Sequence, residues 1–561
     1  MFGPYSSLYI MRKVILLLFL FSLSFQNFLA QKNYQKEFHQ VDSILGSHYD
    51  PKKPGIAVAI IKEGKTIYKN QIGMADLEQG ISISDSTAFH IASVSKQFTA
   101  FLALLLEKEG KLSMSDDIRK YLPELKDLPL KINLYQLASH THGLPNYIEL
   151  AHLKGIDSQD PMTHKEVVEM LLNLKTVNFK PGEKYEYNNT GFVLLSEIIA
   201  RVEGNPFQNI LKDRIFEPLG MSHTMAVDRP GLIVKNKAHS YRLENGKYVS
   251  YDLNLKAIGS SGVNTTINDL TKWAANFQDP APESKEIFQE MQKPTKLNSG
   301  KMVQYGLGLE FKKYKGLNLV FHGGGDVGYR SYLLHVPEQQ LSVAILGNNN
   351  DFTPLEIVYQ IVDLFLKDHL KEPLPPKKTH YTERELKSFE GTYEMFPGTY
   401  YNIIAESDTL YFQSYGTKDK APLPVIGDGE FLFPYIPTAK FSFYKNGFIF
   451  HIADFKYDCE KITLETIRPE EVKLTDFTGL YRNKEFNTFF ELVLQNGVLM
   501  AKHCSNEDIV LQPLTKDSFY SRKSFFGKLD FIRNMQGRVI KFKVSGQNLK
   551  DIEFVRIATR F

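Results

Sequence analysis

Cysteine is nearly absent. The 561 residues contain two, Cys459 and Cys504, so a disulfide framework is excluded as the main source of stability. A single bridge would need the two Cα atoms within about 7 Å of each other, and two separate thiols are the expectation. Neither stands in a metal-ligand spacing. An excess of one charge is lacking too: Lys and Arg total 67 against 64 acidic residues, a net +3. Nucleic acid, which needs a concentrated basic face, is therefore not an expected partner. No apolar run is long enough for a comfortable membrane span. The chain has no G-x-S-x-G nucleophile elbow. Its prominent glycine run, Gly323-Gly324-Gly325, is not followed by the Gly-Lys-Ser/Thr of a phosphate-binding loop.

What is present starts near the N-terminus. Arg12 and Lys13 precede an apolar run over 14–25, and Ala30 is a plausible cleavage residue before Gln31. That is the order of a secretory signal. Residues 1–30 are expected to be a signal peptide, and the remainder an exported, soluble, periplasmic protein. No cysteine lies near Ala30 to carry a lipid.

Phe38, Val41 and Leu45 recur at helical spacing and predict a helix over 34–49. Two β-branched runs, 56–62 and 66–72, joined through Glu63-Gly64, predict a hairpin. Residues 93–109 form an unbroken apolar stretch, expected as a buried helix. Strand-like runs return at 317–322, 332–336 and 341–346, and Pro354 opens a helix to 367. This order predicts an α+β domain over 31–370. Pro373, Pro375 and Pro376 mark a linker over 371–382.

Beyond it the texture changes to short alternating strands, and the sequence repeats. Leu386, Phe389, Gly391 and Tyr393 recur 88 residues later as Leu474, Phe477, Gly479 and Tyr481. Phe431, Phe443 and Asn446 recur as Phe519, Phe531 and Asn534. Two small barrel-like all-β domains are expected, over 383–470 and 471–561.

The chemistry concentrates in a few fragments. Ser93-Val94-Ser95-Lys96 fits S-x-x-K, which puts both functional side chains on one helical face. A serine hydroxyl needs a base to take its proton, and burial lowers a lysine pKa enough to provide one. The same tetrad occurs at Ser442-Phe443-Tyr444-Lys445, but in an alternating strand, where residues three apart face opposite ways. Tyr187-Asn188-Asn189 precedes an apolar helix over 193–202. His322-Gly323-Gly324-Gly325 follows an apolar strand, and its glycines admit close backbone approach. His140 and His142 have no evident third partner and are not expected to hold a metal.

In order along the chain, F-H-I-A-S-V-S-K, L-A-S-H-T-H-G-L-P, P-G-E-K-Y-E-Y-N-N-T-G-F, S-S-G-V-N-T-T-I-N-D-L, Y-G-L-G-L and H-G-G-G-D-V-G-Y resemble the class C β-lactamases. They also resemble the related D-alanyl-D-alanine carboxypeptidases, esterases and D-aminopeptidases. The resemblance covers about 35–370 and implies a β-lactamase/transpeptidase-like fold, an antiparallel sheet flanked by helices. It implies Ser93 as nucleophile, Lys96 as its partner, Tyr187 as proton shuttle and Asn189 as a ligand of substrate and lysine. His322, Gly324 and Gly325 would bind substrate, with the backbone N–H groups of Ser93 and Gly325 forming an oxyanion hole.

His322 stands where β-lactamases usually carry the lysine of K-T-G. A permanent cation gives way to a group expected to be partly charged near neutral pH. That shifts the expectation from β-lactam hydrolysis towards amide or ester cleavage of the peptidase and esterase type. A true β-lactamase, and an inactive relative that captures cell-wall peptides, remain the alternatives. A small molecule or short peptide is the expected substrate, and no cofactor is implied. Nothing in the sequence fixes an oligomeric state.

Overall fold

The computed structural model describes residues 34–557, save 352, 373–379, 437–438, 454, 466 and 468–470. The expected signal peptide and most of the expected linker lie outside the described residues. Among those described, no helix is long and apolar enough to cross a membrane.

The hairpin forms as its sequence asks. Strands β1 (Ile56–Lys62) and β2 (Lys65–Ile72) are joined through Glu63 and Gly64, whose φ values of 52° and 72° are both positive. Two-residue hairpin turns of the favoured hand require this. Four further strands are β3 (Glu310–Tyr314), β4 (Leu317–Asp326), β5 (Tyr329–Val336) and β6 (Leu341–Gly347). They complete a six-stranded sheet in the order β3-β4-β5-β6-β1-β2, antiparallel throughout. β1 is apolar at consecutive positions because it is central and covered on both faces.

Five helices frame this sheet: α1 (Gln35–His48), α2 (Lys96–Lys108), α3 (Thr190–Glu203), α4 (Ile267–Gln278) and α5 (Pro354–Phe365). Strand alternation sorts the side chains between two cores. Ile56, Val58, Ile60, Leu319, Phe321 and Leu334 pack with α1 and α5 on one face. Ala57, Ala59, Ile61, Val320 and Leu333 face the larger helical region containing α2, α3 and α4. His322 and Gly324 have the parity of Val320, so the sheet turns them towards α2.

The two C-terminal repeats are one fold used twice. Residues 479–557 make a closed eight-stranded antiparallel barrel, shut by pairing of Gly479–Asn483 with Leu549–Ile557. Residues 391–462 follow the same strand order, with the fourth strand interrupted between Leu423 and Val425 at Pro424. Proline has no N–H for the ladder, which accounts for the break. The 88-residue offset is visible in the contacts. Tyr393 Oη donates to Phe389 O at 2.5 Å and Tyr481 Oη to Phe477 O at 2.9 Å. Phe389 packs on Phe431 and Phe443 as Phe477 packs on Phe519 and Phe531. A short helix, Glu383–Phe389, opens the first repeat. Thr382, the last residue expected as linker, caps it reciprocally with Glu385. Cys459 is buried and Cys504 exposed, and both are free thiols.

Candidate active site

Ser93 sits on a 3-10 turn, Ala92–Ser95, and the α-helix proper starts only at Lys96. The expected helix over 93–109 is thus tighter at its start. In a 3-10 turn residues three apart are nearly eclipsed, which stacks Lys96 directly on Ser93. Ala92, just before the nucleophile, has φ of 44°, a conformation that a side chain disfavours. Neighbours hold it there: Ser331 Oγ on β5 donates to Ile91 O at 2.7 Å, and Ile91 N–H donates to Val263 O at 3.0 Å.

Lys96 is fully buried, yet among the described residues no carboxylate forms an ion pair with it. Its Nζ donates to Ser93 Oγ at 3.0 Å, Asn189 Oδ1 at 2.8 Å and the Ser260 carbonyl at 2.9 Å. It also lies 4.9 Å from the centroid of the Tyr187 ring. Burial lowers its pKa to about 7, although Asp326 and Glu310 pull the other way. The neutral amine has two protons and one lone pair. The amide oxygen of Asn189 and the carbonyl of Ser260 can only accept, so they take the protons, and the lone pair faces the Ser93 hydroxyl.

Tyr187 reaches the same hydroxyl: its phenol hydrogen-bonds Ser93, while burial raises its pKa well above the ordinary value. It stays protonated at neutral pH. Asn189 is fixed by the entrance to α3. Its N–H donates to Asn146 Oδ1 at 3.3 Å, and Thr190 Oγ1 donates to Pro145 O at 2.7 Å. Gly191 lets α3 approach the segment 134–142, because a Cβ there would sit 2.5 Å from Leu137 O.

On β4, a Cβ on Gly324 would lie 2.2 Å from Ser331 Oγ and 2.5 Å from Ile91 O. Only glycine lets the strand reach the nucleophile turn. Gly325 is less constrained, with no neighbour nearer than 3.6 Å to such an atom.

His322 departs from the partly charged group expected. It is 1% exposed, and burial, reinforced by the charge on Lys96, lowers its pKa to about 3. A hydrogen-bond chain fixes its tautomer. Asn188 N–H donates to His140 Nδ1 at 3.2 Å, so His140 Nε2–H donates to Tyr305 Oη at 3.0 Å. Tyr305 then donates to His322 Nε2 at 3.2 Å, and His322 Nδ1–H to Gly323 O at 2.6 Å. With both ring nitrogens occupied, His322 supports the glycine strand instead of presenting a charge.

The structure therefore gathers Ser93, Lys96, Tyr187 and Asn189 around one hydroxyl, with His322 and Gly324 on the adjoining strand. The competing tetrad is elsewhere: Ser442 Oγ is bonded to Glu430 and His451. Sequence reasoning missed Ser260, His140, Tyr305 and Asn146. Ser260 acts through its carbonyl, which carries no residue signal. His140 stands in the L-A-S-H-T-H-G-L-P segment, where a histidine two residues from His142 points to metal ligation and not to the buried Tyr305–His322 chain it joins.

A model of the beta-lactamase family matches residues 35–362, which is more than half of the chain. The chain belongs to the beta-lactamase family. The family's serine-hydrolase character fits the Ser93–Lys96 pair, and its relatives extend the comparison. A D-aminopeptidase of Gluconobacter oxydans is 29% identical over 298 residues, 53% of this chain and 56% of that protein. The matched stretch thus spans little more than half the length of such relatives. Penicillin-binding protein 4* of Bacillus subtilis is 28% identical over 415 residues, covering 69% of this chain and 89% of its own. Among solved structures, a D-amino acid amidase from Ochrobactrum anthropi SV3, complexed with L-phenylalanine amide, aligns with a TM-score of 0.51 at 25% identity. It covers 60% of this chain and 99% of that one. An octameric penicillin-binding protein homologue from Pyrococcus abyssi aligns over 83% of this chain and 98% of its own. Its TM-score is 0.54 at 24% identity, which supports the shared fold.

Proposed function

We propose that the protein hydrolyses a small amide or ester by acylation of Ser93. The observation that carries this is Lys96: buried, without a carboxylate ion pair among the described residues, and aimed at the Ser93 hydroxyl with its other two directions occupied. Neutral Lys96 takes the hydroxyl proton as Ser93 Oγ bonds the substrate carbonyl carbon. The carbonyl electron pair moves onto oxygen, which the backbone N–H groups of Ser93 and Gly325 receive. Tyr187 passes its proton to the departing amine or alcohol and is reprotonated from Lys96. Water then attacks the Ser93 ester, releasing the acid and restoring the hydroxyl.

The D-aminopeptidase and D-amino acid amidase relatives favour an amide of a D-amino acid as the substrate. Neutral His322 favours this over efficient β-lactam hydrolysis, because it offers no cation to a β-lactam carboxylate. The apolar segment 14–25 behind Arg12 and Lys13 supports export, which N-terminal sequencing of secreted protein tests. The reaction is tested with a fluorescent penicillin and a fluorophosphonate, each against Ser93→Ala. A Ser93-dependent adduct with at least one probe is expected. No such adduct in a folded sample contradicts the reading.

A further inference from the structure

One local signal recurs along the chain. Asn133-x-x-Gln136, Thr163-x-x-Glu166 and Thr382-x-x-Glu385 each open a helix with a closed capping box. In such a box the first side chain accepts from the N–H three residues on, and the side chain there accepts from the first N–H. Asn146-Tyr147-Ile148-Glu149 has the same form and opens the short helix Tyr147–Leu153, but both halves of its box are diverted. Asn146 Oδ1 accepts from Asn189 N–H at 3.3 Å. Asn146 N–H donates to the Asn548 carbonyl of the second barrel at 3.1 Å. Glu149 accepts from the Asn146 side-chain amide, and its Oε2 has no hydrogen-bond partner among the described residues. Glu149 is 7% exposed, so a buried carboxyl is left half-satisfied, which local capping would avoid.

The diverted groups join two parts of the molecule. Asn189, held by Asn146, places its Oδ1 2.8 Å from Lys96 Nζ. Tyr147 N–H donates to Thr190 Oγ1 at 2.9 Å and Thr190 Oγ1 to Pro145 O at 2.7 Å, so residues 145–147 are tied to the start of α3. The second barrel grips the same helix at both ends. Its Asn548 carbonyl takes the Asn146 N–H and also Asn178 Nδ2 at 3.0 Å. Asn506 Nδ2 donates to His152 O at 2.9 Å and Thr488 Oγ1 to Leu153 O at 3.3 Å, while Phe525 packs on the His152 ring. A rigid element bonded to the barrel at one side and to the lysine's partner at the other carries a shift of the barrel to Lys96.

We propose that Asn146 is a positioning residue through which the second barrel, by its Asn548 carbonyl, holds Asn189 and Lys96 in line with Ser93. The barrel is then a working part of the acylation site. The inference rests on Lys96 as the base of the proposed reaction. Asn189 Oδ1 accepts more strongly from the ammonium form of Lys96 than from the amine, so an Asn189 that drifts away leaves the lysine easier to deprotonate.

The test follows fluorophosphonate labelling of Ser93 in the full chain as a function of pH. Asn146→Ser is the informative variant: serine caps a helix as well as asparagine does, but its shorter side chain does not reach Asn189. The variant should melt within a few degrees of wild type and label about tenfold more slowly. The midpoint of its pH profile should fall about one unit below that of wild type. Asn146→Asp, which keeps an oxygen for Asn189 N–H, should recover most of the rate. Two glycines inserted between Gln547 and Asn548 withdraw the barrel's carbonyl and should reproduce the Asn146→Ser profile. The two changes together should do little more than either alone. Asn146→Ser labelling at the wild-type rate and midpoint overturns the inference. So does labelling lost only in proportion to unfolding with the midpoint unmoved, or an insertion variant with the wild-type profile. Wild-type labelling with no dependence on pH contradicts the proposed reaction itself, whereas a wild-type midpoint near 7 with unmoved variants contradicts this inference alone.

Discussion

Lys96 is kept in its pocket at a cost to stability. Its folded pKa of about 7 lies below the 10.5 of an exposed lysine, so between those values the unfolded chain binds more protons. Stability from this group therefore rises with pH from about 7 towards 10.5, and the penalty is complete at and below 7. Lys96→Met removes the buried charge while keeping most of the volume. The variant should melt several degrees higher than the wild type at pH 6, with the gap narrowing by pH 9, and should lose hydrolysis. Thermal unfolding at the two pH values checks both signs. Ser93 and Lys96 were legible in sequence because a tetrad on a helical, apolar background is geometrically informative. The charge state of His322 was not, since it depends on Tyr305 and His140, distant in sequence, closing over the ring. The Ser260 carbonyl was unreadable for another reason: any residue supplies one.

The glycine strand and the nucleophile turn form the element on which catalysis depends. β4 reaches Ile91 only because Gly324 lacks a side chain, whereas Gly325 has space beside it. Gly324→Ala should push β4 away from the turn and slow Ser93 acylation by about a hundredfold or more, the scale on which a 1 Å misplacement acts. Gly325→Ala should remain within a few fold of wild type. Labelling rates for the two variants test this, and equal losses would contradict the assignment of the steric limit to Gly324. Element boundaries were well read where periodicity was strong: the hairpin, α1 and strands β4 to β6 fall within a few residues of expectation. The start of α2 was misread because a 3-10 turn shares its apolar pattern with an α-helix.

Across the molecule, the two barrels are alike in fold and unlike in attachment. The second shares one hydrophobic core with the helical region of the catalytic domain. Its hairpin carbonyl at Asn548 accepts from Asn146 N–H at 3.1 Å and from Asn178 Nδ2 at 3.0 Å. Asn146 in turn holds Asn189, so the second barrel reaches the Lys96 network through two hydrogen-bonded residues. The first barrel has its own core and meets the second through a small cluster of Tyr400, Leu514 and Tyr520. Calorimetry should accordingly show two transitions, one for the first barrel and one for the catalytic domain with the second barrel. A single transition, or melting of the second barrel alone, would contradict this division. The repeat was legible from its constant offset, but the sequence held no sign of which copy docks, because docking uses main-chain groups and loop residues outside the repeated positions.

The most direct measurement is the pH dependence of adduct formation at Ser93, followed by mass spectrometry with a neutral fluorophosphonate. If neutral Lys96 is the base, the rate should rise with pH through a midpoint near 7 and be abolished in Lys96→Met and Ser93→Ala. A rate that is flat between pH 5 and 9, or an adduct on any other residue, would contradict acyl transfer through the Ser93–Lys96 pair.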